Sequence, residues 1–311
     1  MENILLIFDI FLLYYIIGSK NASGNRMGGA TRQPIYLHLR YKFRYPILYE
    51  NTRSPAMNII RTKTPSETQK NNLLHLQETC RKHDHISLTF PIEEDCTFYL
   101  LYDEDNLLSA LCAFFNENGE YETCAYTLPS NRQNGYFTML LDELLKETAD
   151  NDLVFPVDET CEETVHTLNA LGADFWYREH LMELSASGFI ETGLAKSNPL
   201  WDSPALSMAY NPNEEHSPWT FLMDGSPIGS CYLDFRGETA YFYGFVIAEN
   251  LRNQGLGSAC LFLLLKTCFS LSGHKRLKKL FLQVSGENVP AIALYKKAGF
   301  QITESLSYYL Y

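Results

Sequence analysis

Apolar positions along this chain recur with two different periods. Short apolar runs bounded by turn residues predict strands at Thr97–Tyr102, Leu107–Asn116, Glu120–Tyr126 and Leu153–Val157. The short links between the first three make them antiparallel. After Gly135 the period lengthens: Phe137, Leu140, Leu141, Leu144 and Leu145 form one apolar stripe, with Asp142, Glu143, Lys146 and Glu147 on the other face. That is an amphipathic helix lying on a sheet. The second half of the chain reads similarly. Strands are predicted at Trp219–Met223, Ile228–Asp234, Thr239–Ile247, Lys279–Val284 and Leu306–Tyr311, and Asp224-Gly225 marks a hairpin. The helix from Leu256 to Phe269 is apolar nearly all round, which predicts burial on more than one side, with Gly273 as its stop. Antiparallel strands early and strand–helix alternation late give a mixed α/β sheet.

These halves are copies of one layout. Arg132 and Gly135 recur as Arg252 and Gly255, both offset by 120 residues. Leu171-Gly172-Ala173 answers Ala298-Gly299-Phe300 at an offset of 127. Two copies with so long a period are tandem modules and not a solenoid. The reading divides the chain into a module at 57–186, a linker at 187–203 and a module at 204–311.

The first 56 residues stand apart. Seven basic and three acidic side chains give them +4, so the remainder carries −12 − 4 = −16. The apolar run Ile4–Ile17 is shorter than the ~20 residues that span a bilayer and lacks the basic lead of a secretory signal. Segment 1–56 reads as an appendage, and the folded part as starting near Met57. A membrane anchor is the alternative reading of that run. The net charge of −12 argues against general nucleic-acid binding. The eight cysteines make no C-x-x-C and mostly sit in apolar runs, as expected of free buried thiols in a reducing, cytoplasmic setting. His83-Asp84-His85 lacks a third ligand, so no metal is expected.

The stretch Arg252-Asn253-Gln254-Gly255-Leu256-Gly257-Ser258 joins a strand to a helix N-terminus. Free amides and the helix dipole make such a turn an anion site, and pyrophosphate fits it. Tight helix–sheet packing is the competing explanation of its glycines. No Gly-Lys-Ser/Thr follows, so it is not a P-loop. Downstream, Asn288 precedes a helix that carries Tyr295 seven residues later, two turns on, and both side chains share one face.

Arg252-x-x-Gly255-x-Gly257 after a strand, with Asn288-x-x-Ala291-x-x-x-Tyr295-x-x-x-Gly299-Phe300, resembles the GNAT superfamily of acyl-CoA-dependent N-acyltransferases. The match is strong over about 219–311 and weaker over 57–186. The resemblance implies two tandem GNAT-like modules, each a mixed, mostly antiparallel sheet with a parallel central pair and flanking helices. It implies acetyl-CoA as co-substrate and an amine acceptor. Amides of Asn253, Gln254, Gly255, Leu256, Gly257 and Ser258, behind Arg252, would hold the pyrophosphate. The strand end Phe245, Val246 and Ile247 would pair with the pantetheine arm, and Asn288 would contact it. Tyr295 would protonate the departing thiolate. Tyr241 falls near the place where many members carry a base, with Glu238, Tyr243 and Glu249 nearby as alternatives. In the first copy Phe137, Leu168 and Cys161 stand where Gly257, Tyr295 and Asn288 stand in the second, so that copy reads as degenerate. The expectation is an N-acetyltransferase that works by direct amine attack in a ternary complex. A non-catalytic acyl-CoA-binding or interaction protein is the alternative.

Overall fold

The computed structural model describes residues 57–92, 95–116, 119–148, 151–191, 203–211, 217–270 and 277–311. The appendage 1–56, most of the linker, the Gly273 stop and His274–Arg276 lie outside the described residues. The chain divides into two compact units, one ending at Asp174 but taking back Tyr309–Tyr311, the other spanning Phe175–Tyr308.

The first unit contains β1 (Met57–Thr62), α1 (Glu67–Asp84), β2 (Thr97–Asp103), β3 (Asn106–Phe115), β4 (Tyr121–Thr127), α2 (Tyr136–Leu145), β5 (Leu153–Asp158) and α3 (Glu162–Leu171). The strands lie in the order β1-β2-β3-β4-β5. All pairs are antiparallel except β4–β5, joined through Tyr121↔Leu153 and Glu122↔Val154. Ser66 starts α1 through a capping box with Gln69, which satisfies two otherwise orphaned amides. The α2 stripe buries Leu140, Leu141 and Leu144 against Tyr99, Leu111 and Phe155. Leu73, Leu76 and Cys80 are the fully buried side of α1. The last residue of the chain completes this unit: Tyr311 and Leu153 exchange both backbone hydrogen bonds, at 2.9 Å each.

The first unit also buries a carboxyl. Glu122 on β4 is 8% exposed, and no hydrogen bond reaches it among the described residues. Burial, with Cys96 and Glu120 adding to it, raises its pKa well above the ordinary value. A carboxyl raised on folding weakens the fold as pH climbs from the unfolded pKa towards the folded one. Glu122→Gln is therefore expected to stabilise the protein at pH 7.5, on the order of 2 kcal/mol, and to change nothing at pH 4. Thermal melts at the two pH values check this.

The second unit contains β6 (Asp174–Ser185), α4 (Ala186–Glu191), β7 (Leu206–Ala209), β8 (Trp219–Met223), β9 (Ser226–Arg236), β10 (Thr239–Ile247), α5 (Leu256–Ser270), β11 (Lys279–Ser285), α6 (Val289–Lys297) and β12 (Gln301–Leu310). Its strand order is β12-β6-β11-β10-β9-β8-β7. β10 and β11 are parallel, and β6 runs antiparallel to β11 from Lys279↔Ser185 to Ser285↔Glu179. The core packs Ala259, Cys260, Leu264 and Leu265 of α5 with Ala240, Phe242, Leu280, Leu282, Met182 and Leu184 of the sheet. As the all-round apolar pattern predicts, most of α5 is buried.

Strands β6 and β7 were not legible in the apolar pattern. β6 mixes Phe175, Trp176 and Tyr177 with charged residues, without clean alternation. Its placement also moves the unit's start to Phe175, whereas the sequence reading begins the second module at 204.

The repeat is visible in the backbone. Single 3-10 turns occupy Pro129–Asn131 and Glu249–Leu251. Gln133 and Asn253 have φ of 64° and 61°, and Gly135 and Gly255 have 76° and 79°. Arg132 Nε donates to the Thr127 carbonyl at 3.3 Å, and Arg252 Nε to the Ile247 carbonyl at 3.0 Å. Among the described residues no helix is long and apolar enough to cross a membrane.

Candidate active site

The site is built on β10, β11, α5 and α6 of the second unit. β10 and β11 pair at Thr239↔Lys279, Ala240↔Leu280 and Tyr241↔Phe281, and the register ends there. On its other edge β10 carries a bulge. Tyr243 faces Tyr232 and Val246 faces Ser230, so β10 spends one more residue than β9 over that interval. Gly244 supplies the left-handed φ of 60° that the bulge needs. The bulge bends β10 just past Tyr241, where its pairs with β11 end; β4 and β5 likewise pair only at Tyr121 and Glu122. The first unit has no such register shift between β3 and β4.

Phe245, Val246 and Ile247 follow the bulge. Phe245 packs against Phe221 and Phe242, Ile247 is buried, and Val246 is exposed. Arg252, Asn253, Gln254 and Gly255 are exposed, with the Arg252 guanidinium folded back on the strand end. The first intrahelical bond of α5 described here is Ala259 N–H to the Gly255 carbonyl, at 3.1 Å. Amides of Leu256, Gly257 and Ser258 precede it and have no acceptor within the helix. A Cβ placed on Gly257 would meet Ile247 and Leu294 at 3.8 Å, ordinary contact, and its φ is not left-handed. Helix–sheet packing therefore does not require glycine at 257. The absent side chain leaves the helix end open to a ligand, which is what a pyrophosphate cradle needs.

Asn288 is the N-cap of α6, its side chain accepting from Ala291 N–H at 3.3 Å. Tyr295 is 8% exposed on that helix and stacks edge-on to Phe242 at 6.0 Å and tilted to Phe300 at 5.8 Å. Its hydroxyl has no hydrogen bond among the described residues. Burial is the main cause that pushes its pKa up to about 12, so the phenol keeps its proton across the neutral range. Ser258, Leu261, Phe262, Leu265, Leu294 and Lys297 line a groove between α5 and α6.

Tyr241 projects to the sheet face opposite Phe242. Its hydroxyl donates to Gln283 Oε1 at 3.0 Å, and Gln283 Nε2 donates to Glu179 Oε2 at 3.2 Å. Tyr243 stacks on Tyr241 and Tyr232. Glu238 pairs with Lys278 at 2.6 Å, while Glu249 is exposed in the 3-10 turn. Glu179 and Gln283 were missed by sequence reasoning. They lie 104 residues apart, and no spacing rule links them.

At the matching loop of the first unit, Arg132 pairs with Asp84 at 2.6 Å and with Glu163 at 2.6 Å. Phe137 packs on Phe155, Leu168 on α3 stands where Tyr295 stands on α6, and Cys161 is the N-cap of α3 as Asn288 is of α6.

Residues 179–300 match the family model described as the acetyltransferase (GNAT) family. That segment, and not the chain as a whole, is similar to a GNAT domain. No curated protein matches the chain at the sequence level. Among solved structures, a GCN5-related N-acetyltransferase from Sphaerobacter thermophilus superposes with a TM-score of 0.60 at 11% identity, over 84% of this chain and 96% of that one. A tandem GNAT protein from the clavulanic acid biosynthesis pathway gives 0.55 at 12%, over 82% and 98%. A GCN5-related glucosamine N-acetyltransferase region of a fungal multi-domain GH3 β-N-acetylglucosaminidase also gives 0.55 at 12%, over 83% of this chain and 38% of that one. These likenesses show the fold, and the family model matched at 179–300 is that of acetyltransferases. Among the described residues no group of three or more His, Cys, Asp or Glu is arranged to hold a metal.

Proposed function

We propose that the second unit transfers an acetyl group from acetyl-CoA to a primary amine by direct attack in a ternary complex. The observation that carries this is the parting of β10 from β11 beyond Tyr241, beside the open N-terminus of α5. In this reading the amides of Asn253–Ser258 bind the pyrophosphate, which the helix dipole favours. The β10 edge at Phe245–Ile247 offers backbone groups to the two amides of the pantetheine arm, as an added strand would. Asn288 holds the α6 start in place next to that arm. Tyr295 gives its proton to the leaving thiolate, a step that its buried hydroxyl, without another partner among the described residues, supports. The first unit contributes no second catalytic centre, because Asp84 and Glu163 occupy its loop arginine. The buried thiols support a reducing, cytoplasmic setting.

Tyr295→Phe separates an enzyme from a binding protein. The expected result is an unchanged acetyl-CoA Kd and a fall in kcat of about a hundredfold or more. Thiol release measured with an amine panel checks this. Glucosamine is a first probe, being the acceptor named for one protein of this fold. Acetyl-CoA binding without turnover in the unmodified protein would favour a non-catalytic acyl-CoA-binding role.

A further inference from the structure

We propose that Glu179, on the strand that ends the first repeat, is the general base that takes the proton from the acceptor's ammonium group. This rests on the acyl-transfer reading above. Three strands bring the residues together on the sheet face opposite α6. β11 pairs Ser285 with Glu179 and Gln283 with Leu181, so Gln283 is the diagonal neighbour of Glu179. Gln283 also lies two residues past Phe281, the last described partner of β10, where the two strands part. Its amide spans the gap, accepting from Tyr241 and donating to Glu179. This arrangement fixes the amide orientation and holds one carboxylate oxygen, leaving the other for an incoming amine.

Three other carboxylates on or beside these strands sit in ion pairs. Glu183 pairs with Lys279 at 3.0 Å, Asp234 with Arg236 at 2.9 Å, and Glu238 with Lys278 at 2.6 Å. Glu179 instead meets a neutral amide, and burial lifts its pKa to about 7. A base of that strength is half ionised at neutral pH. Charged and titratable groups along the flanking strands are Arg178, which donates to Ser307, His180, bonded to Ser305, the Glu183–Lys279 pair, Tyr241 and Tyr243. Tyr241 becomes a positioning residue, since its hydroxyl is committed as donor to Gln283.

Acid and base thus stand on opposite faces of the gap, with Tyr295 on the α6 side. The ammonium proton passes to Glu179. The freed lone pair forms the C–N bond at the thioester carbon, and the C–S bond breaks with its electron pair going to sulfur. The thiolate takes the Tyr295 proton, and the surplus proton left on nitrogen restores that phenol. Glu179 then releases its proton to solvent.

The test uses the full chain, with methylamine as minimal acceptor and thiol release as the signal, from pH 5.5 to 9. Wild type should lose kcat/KM on the acid side as Glu179 is protonated. Glu179→Gln should lower kcat/KM about a hundredfold or more and remove that acid limb, while Tyr241→Phe shifts the limb and keeps it. A second readout needs no turnover. The infrared difference between wild type and Glu179→Gln, without acetyl-CoA, should show a carboxylic acid band giving way to carboxylate near neutral pH. Calorimetry should give equal acetyl-CoA affinity for both proteins. Failure of wild type to bind acetyl-CoA overturns the acyl-transfer reading itself. Binding with an unchanged Glu179→Gln pH profile, or binding with no thiol release from wild type, overturns the assignment of Glu179.

Discussion

A fragment starting at residue 187 is expected not to fold, although it contains the whole of the second repeat. Strand β6 is the neighbour of β11 in the second unit, paired over Lys279–Ser285, and its Met182 and Leu184 are 0% and 1% exposed in the core. Removing those two side chains from the core costs roughly 3–6 kcal/mol of burial. A domain has only about 5–15 kcal/mol in total. The loss also leaves the β11 backbone edge unpaired, an aggregation hazard. Circular dichroism melts should show no cooperative transition for 187–311, and a fragment from Phe175 should recover one. A stable, cooperative 187–311 would show that the repeat and the folding unit coincide.

Gly257→Asp is expected to abolish acetyl-CoA binding while leaving the fold at least as stable. A Cβ at this position finds 3.8 Å of clearance and an ordinary φ. Replacing glycine in a helix gains on the order of 0.5–1 kcal/mol, and an acidic side chain in the first helical turn adds a few tenths to the dipole interaction. The same carboxylate would fill the space at the open amides of α5 and repel a pyrophosphate there. Affinity should fall at least a hundredfold while the melting temperature holds or rises. Most site variants weaken fold and binding together; this one separates them. Retained affinity would move the phosphate site away from α5.

The candidate phosphate loop is legible because turn chemistry is local. Arg252, Gly255 and Gly257 follow one another within six residues, and the matching spacing at Arg132 and Gly135 gave the repeat its period. Tyr295 and Asn288 were legible for the same reason, being two turns apart on one helix. What escaped depends on distant partners. The bulge at Gly244 needs the register against β9, and a lone glycine in a strand has several explanations. Strand β6 ends the first repeat in sequence but lies in the second unit in space, so a boundary drawn from the repeat alone falls at 186. Glu179 is one charge in an irregular strand, and only the fold sets Gln283 beside it and Tyr241 beside Gln283.

The most direct test of the account is a calorimetric titration of acetyl-CoA into the full chain, read for its stoichiometry. The account predicts one site per chain, formed by the open α5 end and the gap between β10 and β11. Two equivalent sites would contradict the view that the first unit, its Arg132 paired with Asp84 and Glu163, contributes no second centre. No binding by a folded sample would contradict the assignment of the second unit as an acyl-CoA site.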